Sequence, residues 1–165
     1  MPKRTLGRVD TYQWLLALHV SGAFLLVGGA VLAAVFAFVA QRSARPSEIA
    51  LFLGLTRVAV VAIGIGAVLT LVLGLWLVHD RDYSFGDAWI VLAVVLWFVS
   101  AGLGSAGGKR DRETRELAER LAAETDELTP ELRARLRDPV AMAMSWGSGL
   151  AMLVVLALMI WKPGA

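Results

Sequence analysis

Two histidines are the residues most suited to chemistry in this 165-residue sequence. His19 lies inside the first long apolar stretch, and His79 lies at the end of the second. Imidazole is the commonest protein ligand of metal ions, and it also binds haem iron. If the two rings faced each other, they could supply both axial ligands of a haem or two ligands of a copper or zinc ion.

The depth of the two histidines depends on the reference residue. Counted inward from Tyr12, His19 lies two helical turns, or roughly 10 Å, below the start of its helix, whereas His79 ends its own helix. Counted from Arg42 and Arg57, both histidines lie about 22 positions away and are nearly level. The sequence leaves both arrangements open. The alternative is that His19 forms a hydrogen bond within the bundle and His79 is an interfacial residue.

Other reactive side chains are few. Met159 is the one span methionine on the side of the histidines, and thioethers suit Cu(I), but methionine also fills gaps in packed interiors. Copper is therefore a weaker candidate than haem. Arg57 is interpreted as an anchor at a span end. The absence of cysteine excludes disulfides, thiolate metal sites and thiol nucleophiles. No catalytic motif is found, so the sequence assigns no enzymatic activity.

Four almost uncharged stretches must position these residues, at about 12–40, 58–78, 88–108 and 140–161. Each is long enough to cross a hydrocarbon core of about 30 Å, which takes about 20 apolar residues. The first is too long for a signal peptide, whose apolar run is about 7–15 residues. The pattern predicts an all-α, integral membrane, four-helix up-and-down bundle that forms a single domain.

Composition supports a membrane protein. Hydrophobic residues make up 58% of the chain, whereas the apolar share of a soluble domain is about 45–50% even with glycine included. The net charge is only +2, and the basic residues flank the spans. They are therefore interpreted as topology signals and not as a nucleic-acid surface.

Lysine and arginine are distributed unequally between the two sides of the bundle. Five lie on the side of the chain ends and the second connector: Lys3, Arg4, Arg8, Arg81 and Lys162. Eleven lie on the other side, eight of them in the third connector, 109–138. Because positive loops stay inside, we predict a bacterial plasma (inner) membrane protein with both termini outside and a cytoplasmic connector.

The third connector is predicted to form a cytoplasmic helical hairpin. Its first part spaces opposite charges three and four residues apart, as in Arg112, Glu116 and Arg120, which stabilises a solvated helix. Thr129 followed by Pro130 is typical of a helix start. The hairpin is interpreted as a solvated extension of the spans, and the alternative is a docking surface for a partner.

Small residues recur at helical spacing in every span, which is how membrane helices pack closely. Gly22 and Gly29 share a face with His19, and Gly104 and Gly108 form a GxxxG pair. The rival interpretation is that glycine clears space for a planar cofactor near Gly28, Gly29, Gly64 and Gly66. The candidate cofactor-binding residues are His19, Gly22, Gly29 and His79. Most aromatic residues are predicted to form an interfacial belt: Tyr12, Trp14, Trp76, Tyr83, Trp89 and Trp161. Trp97 and Trp146 lie deeper.

The segment Trp14 to Ala23, followed by Gly28 and Gly29, resembles the first span of a bacterial integral membrane family named domain of unknown function 2269. The ending Leu158 to Pro163 is similar to that of the same family. This family is grouped loosely with CopD copper-resistance domains and HemJ-type protoporphyrinogen oxidases. The resemblance implies that His19 occupies the position of a haem-binding histidine, whereas the later lysine of HemJ-type enzymes has no counterpart.

The leading hypothesis is therefore a small membrane protein that binds haem or a metal through His19. Two alternatives stay open: a structural or assembly subunit that packs against partner helices or copies of itself, and an oligomeric transporter or channel. The scarcity of charge within the spans disfavours the transporter.

Overall fold

A computed structural model describes residues 11–80 and 83–163. These residues form five helices: α1 (Thr11–Arg42), α2 (Pro46–Asp80), α3 (Ala88–Glu124), α4 (Pro130–Leu136) and α5 (Pro139–Trp161). Helices α1, α2, α3 and the segment that ends with α5 are long and apolar enough to cross a membrane. The predicted all-α, four-span architecture is confirmed.

The four long helices form two pairs. Helix α1 packs along α2, α3 packs along α5, and a smaller contact between α2 and α3 joins the pairs. Helices α1 and α5 make no extensive contact with each other. We call the end of the bundle with the α2–α3 connector and Lys162 the terminal side, and the opposite end the connector side.

The helices extend well beyond the apolar stretches on the connector side. Helix α2 begins at Pro46, whereas the predicted span begins near 58, and α3 continues to Glu124. The reason is that hydropathy identifies only the part of a helix that lies in hydrocarbon. Beyond that part, ion pairs between side chains stabilise the helix in water. Arg112 and Glu116 form such a pair at 2.9 Å along α3.

The connector 109–138 folds back onto the bundle. Its residues contribute to a buried cluster that also includes the α1–α2 turn: Ala40, Ile49, Leu53, Ala118 and Leu132. The carboxylate of Asp126 accepts hydrogen bonds from the Ser47 backbone N–H and hydroxyl, at 2.8 and 2.9 Å. The connector therefore forms a packed layer that closes this end of the bundle.

Caps define the helices at the end of the connector. Thr129 accepts a hydrogen bond from the Leu132 N–H, which confirms the helix start predicted at Thr129 and Pro130. Asp138 accepts one from the Val140 N–H and pairs with Arg110. These contacts turn the chain from α4 into α5.

Glycine brings the backbones of α1 and α2 into direct contact. A Cβ atom built on Gly66 would lie 2.5 Å from the Gly22 carbonyl oxygen and 2.5 Å from the Leu26 nitrogen. One built on Gly29 would lie 2.9 Å from the Ala59 carbonyl oxygen. Only glycine allows such an approach, as expected for small residues at a membrane helix contact.

Hydroxyl groups join α3 to α5. The Ser100 hydroxyl donates to the Ser148 carbonyl at 2.9 Å, and the Ser148 hydroxyl donates to the Ser100 carbonyl at the same distance. Gly104 and Gly107 face α5, whereas Gly108 has open space where a Cβ would lie. Gly108 therefore takes no part in the contact between α3 and α5, because one residue turns a helix by about 100° and Gly107 faces α5 instead.

Candidate ligand-binding site

His19 lies where α1 crosses Gly74 of α2. A Cβ built on Gly74 would be 3.0 Å from His19 Cε1 and 3.4 Å from Nδ1, so the missing side chain leaves the space that the imidazole fills. Nδ1 is buried and makes no hydrogen bond. The backbone of Thr70 interacts with the ring, but the geometry falls short of a hydrogen bond at Nδ1. The alternative was that His19 forms a hydrogen bond within the bundle. Among the described residues, Nδ1 has no such partner.

A small cavity lies beside His19 at the junction of all four long helices. It has a volume of about 60 Å³. The lining is almost wholly apolar, and its aromatic and sulfur-containing members are Trp89, Trp97, Met152 and Met159.

Two tryptophans that line this cavity also have unpartnered nitrogens. Nε1 of Trp89 and Nε1 of Trp97 are buried and have no hydrogen-bond partner in the part of the chain that the structure describes. An unsatisfied buried polar group costs about 1–3 kcal/mol, and a buried tryptophan N–H usually finds a partner. The cavity could hold a few waters, since each takes roughly 10–15 Å³ of such volume. Three ring nitrogens around one apolar cavity therefore indicate a place for water or for polar atoms of a ligand.

A larger groove continues from the cavity between α1 and α5. Its volume is about 520 Å³, and it exists because these two helices do not pack against each other. His19, Gly74, Trp89 and Met159 line both spaces. Phe24 on the rim of the groove is 76% exposed, as expected for a side chain that faces lipid. The cavity is thus the inner end of a groove that opens sideways toward the bilayer.

Lys162 lies at the terminal-side end of the groove. Its Nζ donates a hydrogen bond to the Tyr83 hydroxyl at 3.2 Å. The same nitrogen is 4.9 Å from the centre of the Tyr83 ring and 5.9 Å from that of Trp89, within the range of cation–π attraction. The two rings meet edge to face at 5.5 Å. A cation is therefore held against aromatic rings at the mouth of the groove.

The other predicted site residues lie elsewhere. His79 is exposed and lines neither the cavity nor the groove, so the structure does not bring the two histidines together there. Gly22 and Gly29 are buried in the α1–α2 contact and also line neither space. Within residues 11–80 and 83–163, no group of three or more His, Cys, Asp or Glu side chains is suited to hold a metal ion.

Met159, which the sequence offered only as a weak candidate for a copper ligand, does lie beside His19. The Cβ position on Gly74 that is 3.0 Å from His19 Cε1 is 4.0 Å from Met159 Cε. Of the tryptophans, Trp89 was expected in the interfacial belt but is only 5% exposed, because it packs under Tyr83 and Val78. Trp146, expected deeper in its span, is 76% exposed. Sequence reasoning missed Trp89 and Lys162, and both lie at helix ends, where hydropathy gives no sign of burial.

The comparison with known families agrees with this architecture. The model of the family DUF2269, described as "Predicted integral membrane protein (DUF2269)", matches residues 13–163. The chain belongs to this family. No curated protein and no solved structure matches the sequence. This DUF2269 protein is an integral membrane protein, and the family description names no activity for it.

Proposed function

We propose that this DUF2269 protein binds a hydrophobic ligand or cofactor within the bilayer and that His19 holds it. The strongest support is Nδ1 of His19, which is buried and has no partner among the described residues. It lies beside a cavity that Trp89 and Trp97 also line. Ring nitrogens without partners stabilise a ligand that supplies them with hydrogen bonds or a metal ion. The groove volume lies within the range of about 300–1,000 Å³ that is usual for small-molecule sites.

Haem is the occupant that the first-helix histidine predicts. The inner cavity of about 60 Å³ is too small for the macrocycle, so a haem would have to lie in the groove, which His19 also lines. His79 does not reach this space, whereas Met159 does. If a haem were held there, His19 and Met159 would be the residues that hold it, in place of the predicted pair His19 and His79. Haem bound there would supply electron-transfer chemistry.

The test is the absorption spectrum and metal content of the purified protein, with native mass spectrometry for colourless ligands. We expect a bound species in the wild type, and a Soret band if that species is haem. His19→Ala should lose it. His79→Ala is the matched control and should retain it, because His79 lines neither space. A folded wild type that carries no bound molecule would refute the proposal, as would a His19→Ala variant with undiminished occupancy.

We also infer that both termini lie outside a bacterial inner membrane. The support is the excess of lysine and arginine on the connector side, where Arg42, Arg45 and Arg57 join the eight basic residues of 109–138. Lys3, Arg4, Arg8 and Arg81 lie outside the described residues. The chain has no cysteine, so single-cysteine variants label cleanly. In intact cells, an impermeant maleimide should label Ser84→Cys but not Thr125→Cys, and the reverse pattern would contradict the orientation.

We also propose that the protein associates with a second copy or with partner helices through the open small-residue face at Gly108. Gly108 has nothing within 4 Å of its Cβ position, whereas the Cβ position of Gly104 is 3.2 Å from the Ser148 hydroxyl. Gly108→Leu therefore tests association without disturbing the fold. A smaller assembly would support the proposal, and an unchanged size would contradict it at this face.

A further inference from the structure

The groove between α1 and α5 combines a single cation with an otherwise apolar wall, and this combination indicates the class of its ligand. We propose that the groove binds a single-chain amphiphile with an anionic head, such as a long-chain carboxylate. The head binds Lys162, and the chain lies along the groove toward His19. This inference rests on the proposed function in placing a ligand in the groove that His19 lines, and it goes further by naming the ligand class. Such a ligand would occupy the groove in place of haem, and its hydrocarbon chain would pack beside the His19 ring without a hydrogen bond to it.

Charge is the first argument. Among the described residues that line the groove, Lys162 is the one basic residue apart from His19, and none is acidic. An ammonium group has three donors, and the Tyr83 hydroxyl accepts one of them. Within the described part of the chain, no carboxylate lies within ion-pair distance of Lys162 Nζ. The ammonium is thus held in place with donors to spare, which favours an anionic head.

The position of the cation fits an amphiphile in a membrane. Lys162 follows the last residue of α5, at the end of the span, and so lies at the level where lipid head groups meet water. A carboxylate at that level keeps its contact with water while it pairs with the ammonium. The hydrocarbon part then points into the membrane, along the groove.

The length of the groove is the second argument. Along α1 its lining extends from Tyr12 to Val27, which is about 22 Å at a rise of about 1.5 Å per residue. One leaflet of a hydrocarbon core is about 15 Å thick, half of about 30 Å. Along α5 the lining extends only from Leu156 to Lys162, which is about 9 Å at the same rise, so both helices flank the part of a chain nearest the head and the α1 wall continues beside the rest. Gly74, Leu77 and Val78 of α2 also line the groove, and a single acyl chain is the occupant that we propose.

The walls along that length are suited to hydrocarbon. Val20, Phe24 and Val27 of α1 and Leu156 and Ile160 of α5 are among the apolar residues that line the groove. A ligand that leaves lipid for this groove gains little from burial of its apolar surface, because lipid is also apolar. The head group is therefore what distinguishes the bound ligand from bulk lipid, and Lys162 should determine selectivity.

The experiment measures selectivity for the anionic head. The protein is placed in nanodiscs of phosphatidylcholine, which has no net charge, and the fluorescence of cis-parinaric acid reports binding, with empty nanodiscs as the blank. Oleate and oleyl alcohol, which share the same chain, compete for the site. We expect oleate to displace the probe at about a tenfold lower concentration than oleyl alcohol, as one charge-assisted hydrogen bond would give.

Variants separate the role of Lys162 from general effects of charge. Lys162→Gln should make oleate and oleyl alcohol equally effective, and Lys162→Arg should keep most of the difference. Lys109→Gln removes an exposed lysine on the connector side and should leave the difference intact. Equal potency of the two competitors in the wild type would overturn the proposal, and so would full selectivity in Lys162→Gln. Displacement by phosphatidylglycerol at the same concentration as oleate would overturn the single-chain assignment.

The result also distinguishes this inference from the proposed function. If His19→Ala loses its bound molecule but keeps oleate selectivity, His19 holds a ligand and Lys162 independently selects the anionic head. If the wild type carries no ligand at His19 but discriminates oleate through Lys162, the proposed role of His19 fails and the head-group site stands. If Lys162→Gln loses its selectivity for oleate while its circular dichroism spectrum is unchanged, Lys162 acts on the head group and not on the fold.

Discussion

Substitution of Gly66 by alanine should destabilise the bundle, because it places a methyl group between two backbones. The new Cβ would lie 2.5 Å from the Gly22 carbonyl oxygen and 2.5 Å from the Leu26 nitrogen. An ordinary contact needs 3.4 Å, so α1 must retreat by about 0.9 Å. Backbone atoms cannot rotate away as a side-chain end can, so the whole helix has to move.

The magnitude follows from what the retreat breaks. A gap of about 0.5–1 Å removes a quarter to a half of the dispersion energy of each contact, and overpacked cores typically lose about 1–3 kcal/mol. The replacement also gains up to about 1 kcal/mol of helix propensity. Gly64→Ala is the matched control, since Gly64 lies on the same helix with nothing within 4 Å of its Cβ position. The two variants should differ by about 1–3 kcal/mol in the free energy of unfolding.

The assay is reversible unfolding by sodium dodecyl sulfate in mixed micelles, followed by near-ultraviolet circular dichroism of the six tryptophans. Gly66→Ala should unfold at a clearly lower fraction of dodecyl sulfate than Gly64→Ala. The contact geometry would be refuted by equal midpoints for the two variants. A third variant, Gly29→Ala, tests the same reasoning further along α1, because its Cβ would lie 2.9 Å from the Ala59 carbonyl oxygen.

Two further predictions concern polar groups. In a double-mutant cycle, Ser100→Ala and Ser148→Ala should couple by about 0.6 kcal/mol and by no more than about 1.7 kcal/mol, because the two hydroxyl oxygens lie 3.0 Å apart. The backbone carbonyl that each hydroxyl also bonds survives both substitutions and adds no coupling. Additive effects in the same dodecyl sulfate assay would contradict the contact between the hydroxyls. Near the membrane, the Val140 N–H, together with Arg110, holds the pKa of the Asp138 carboxyl below its usual range. The contribution of the Asp138 carboxylate to stability is therefore present above the unfolded pKa of about 3.9. It is lost as the pH falls through the lower folded value. Burial raises the pKa of Asp111, so the charged form disfavours folding increasingly as the pH rises from the unfolded pKa through the raised one. Asp138→Asn should therefore destabilise the protein at neutral pH and Asp111→Asn should stabilise it, with both effects vanishing in acid; unfolding measured between pH 3 and pH 7 would contradict this if the two variants shifted in the same direction.

The number and kind of the spans could be predicted from the sequence because hydrocarbon imposes a strong, local requirement. An uncharged stretch of sufficient length has almost no other stable environment. The ends of the helices could not be predicted in the same way. Pro46 starts α2 and Glu124 ends α3, and both ends lie where ion pairs, caps and the buried cluster around Ile49 and Leu132 take over from hydropathy.

The site was predicted in part, for an equally physical reason. His19 could be singled out because an ionisable residue within a span is costly and rare. Its neighbours depend on which faces of four helices meet, and a rotation of about 100° per residue separates a residue in the cavity from one outside it. His79 follows the buried Val78 directly and is exposed, so a shift of one position places His79 outside the cavity and the groove. Trp89 and Lys162 could be found only from the packing.

The arrangement of close contacts explains why the bundle has a groove and why it faces one way. Glycine contacts hold α1 to α2, serine hydroxyls hold α3 to α5, and no comparable contact closes the seam between α1 and α5. On the connector side, the packed layer around Ile49 and Leu132 covers the end of the bundle. The remaining access is along the seam and past Lys162. The ligand that we propose for His19 would therefore come from the bilayer or from the terminal side. Substitutions that block the groove at Phe24 or Ile160 should then slow its binding and release, while the layer on the connector side stays intact.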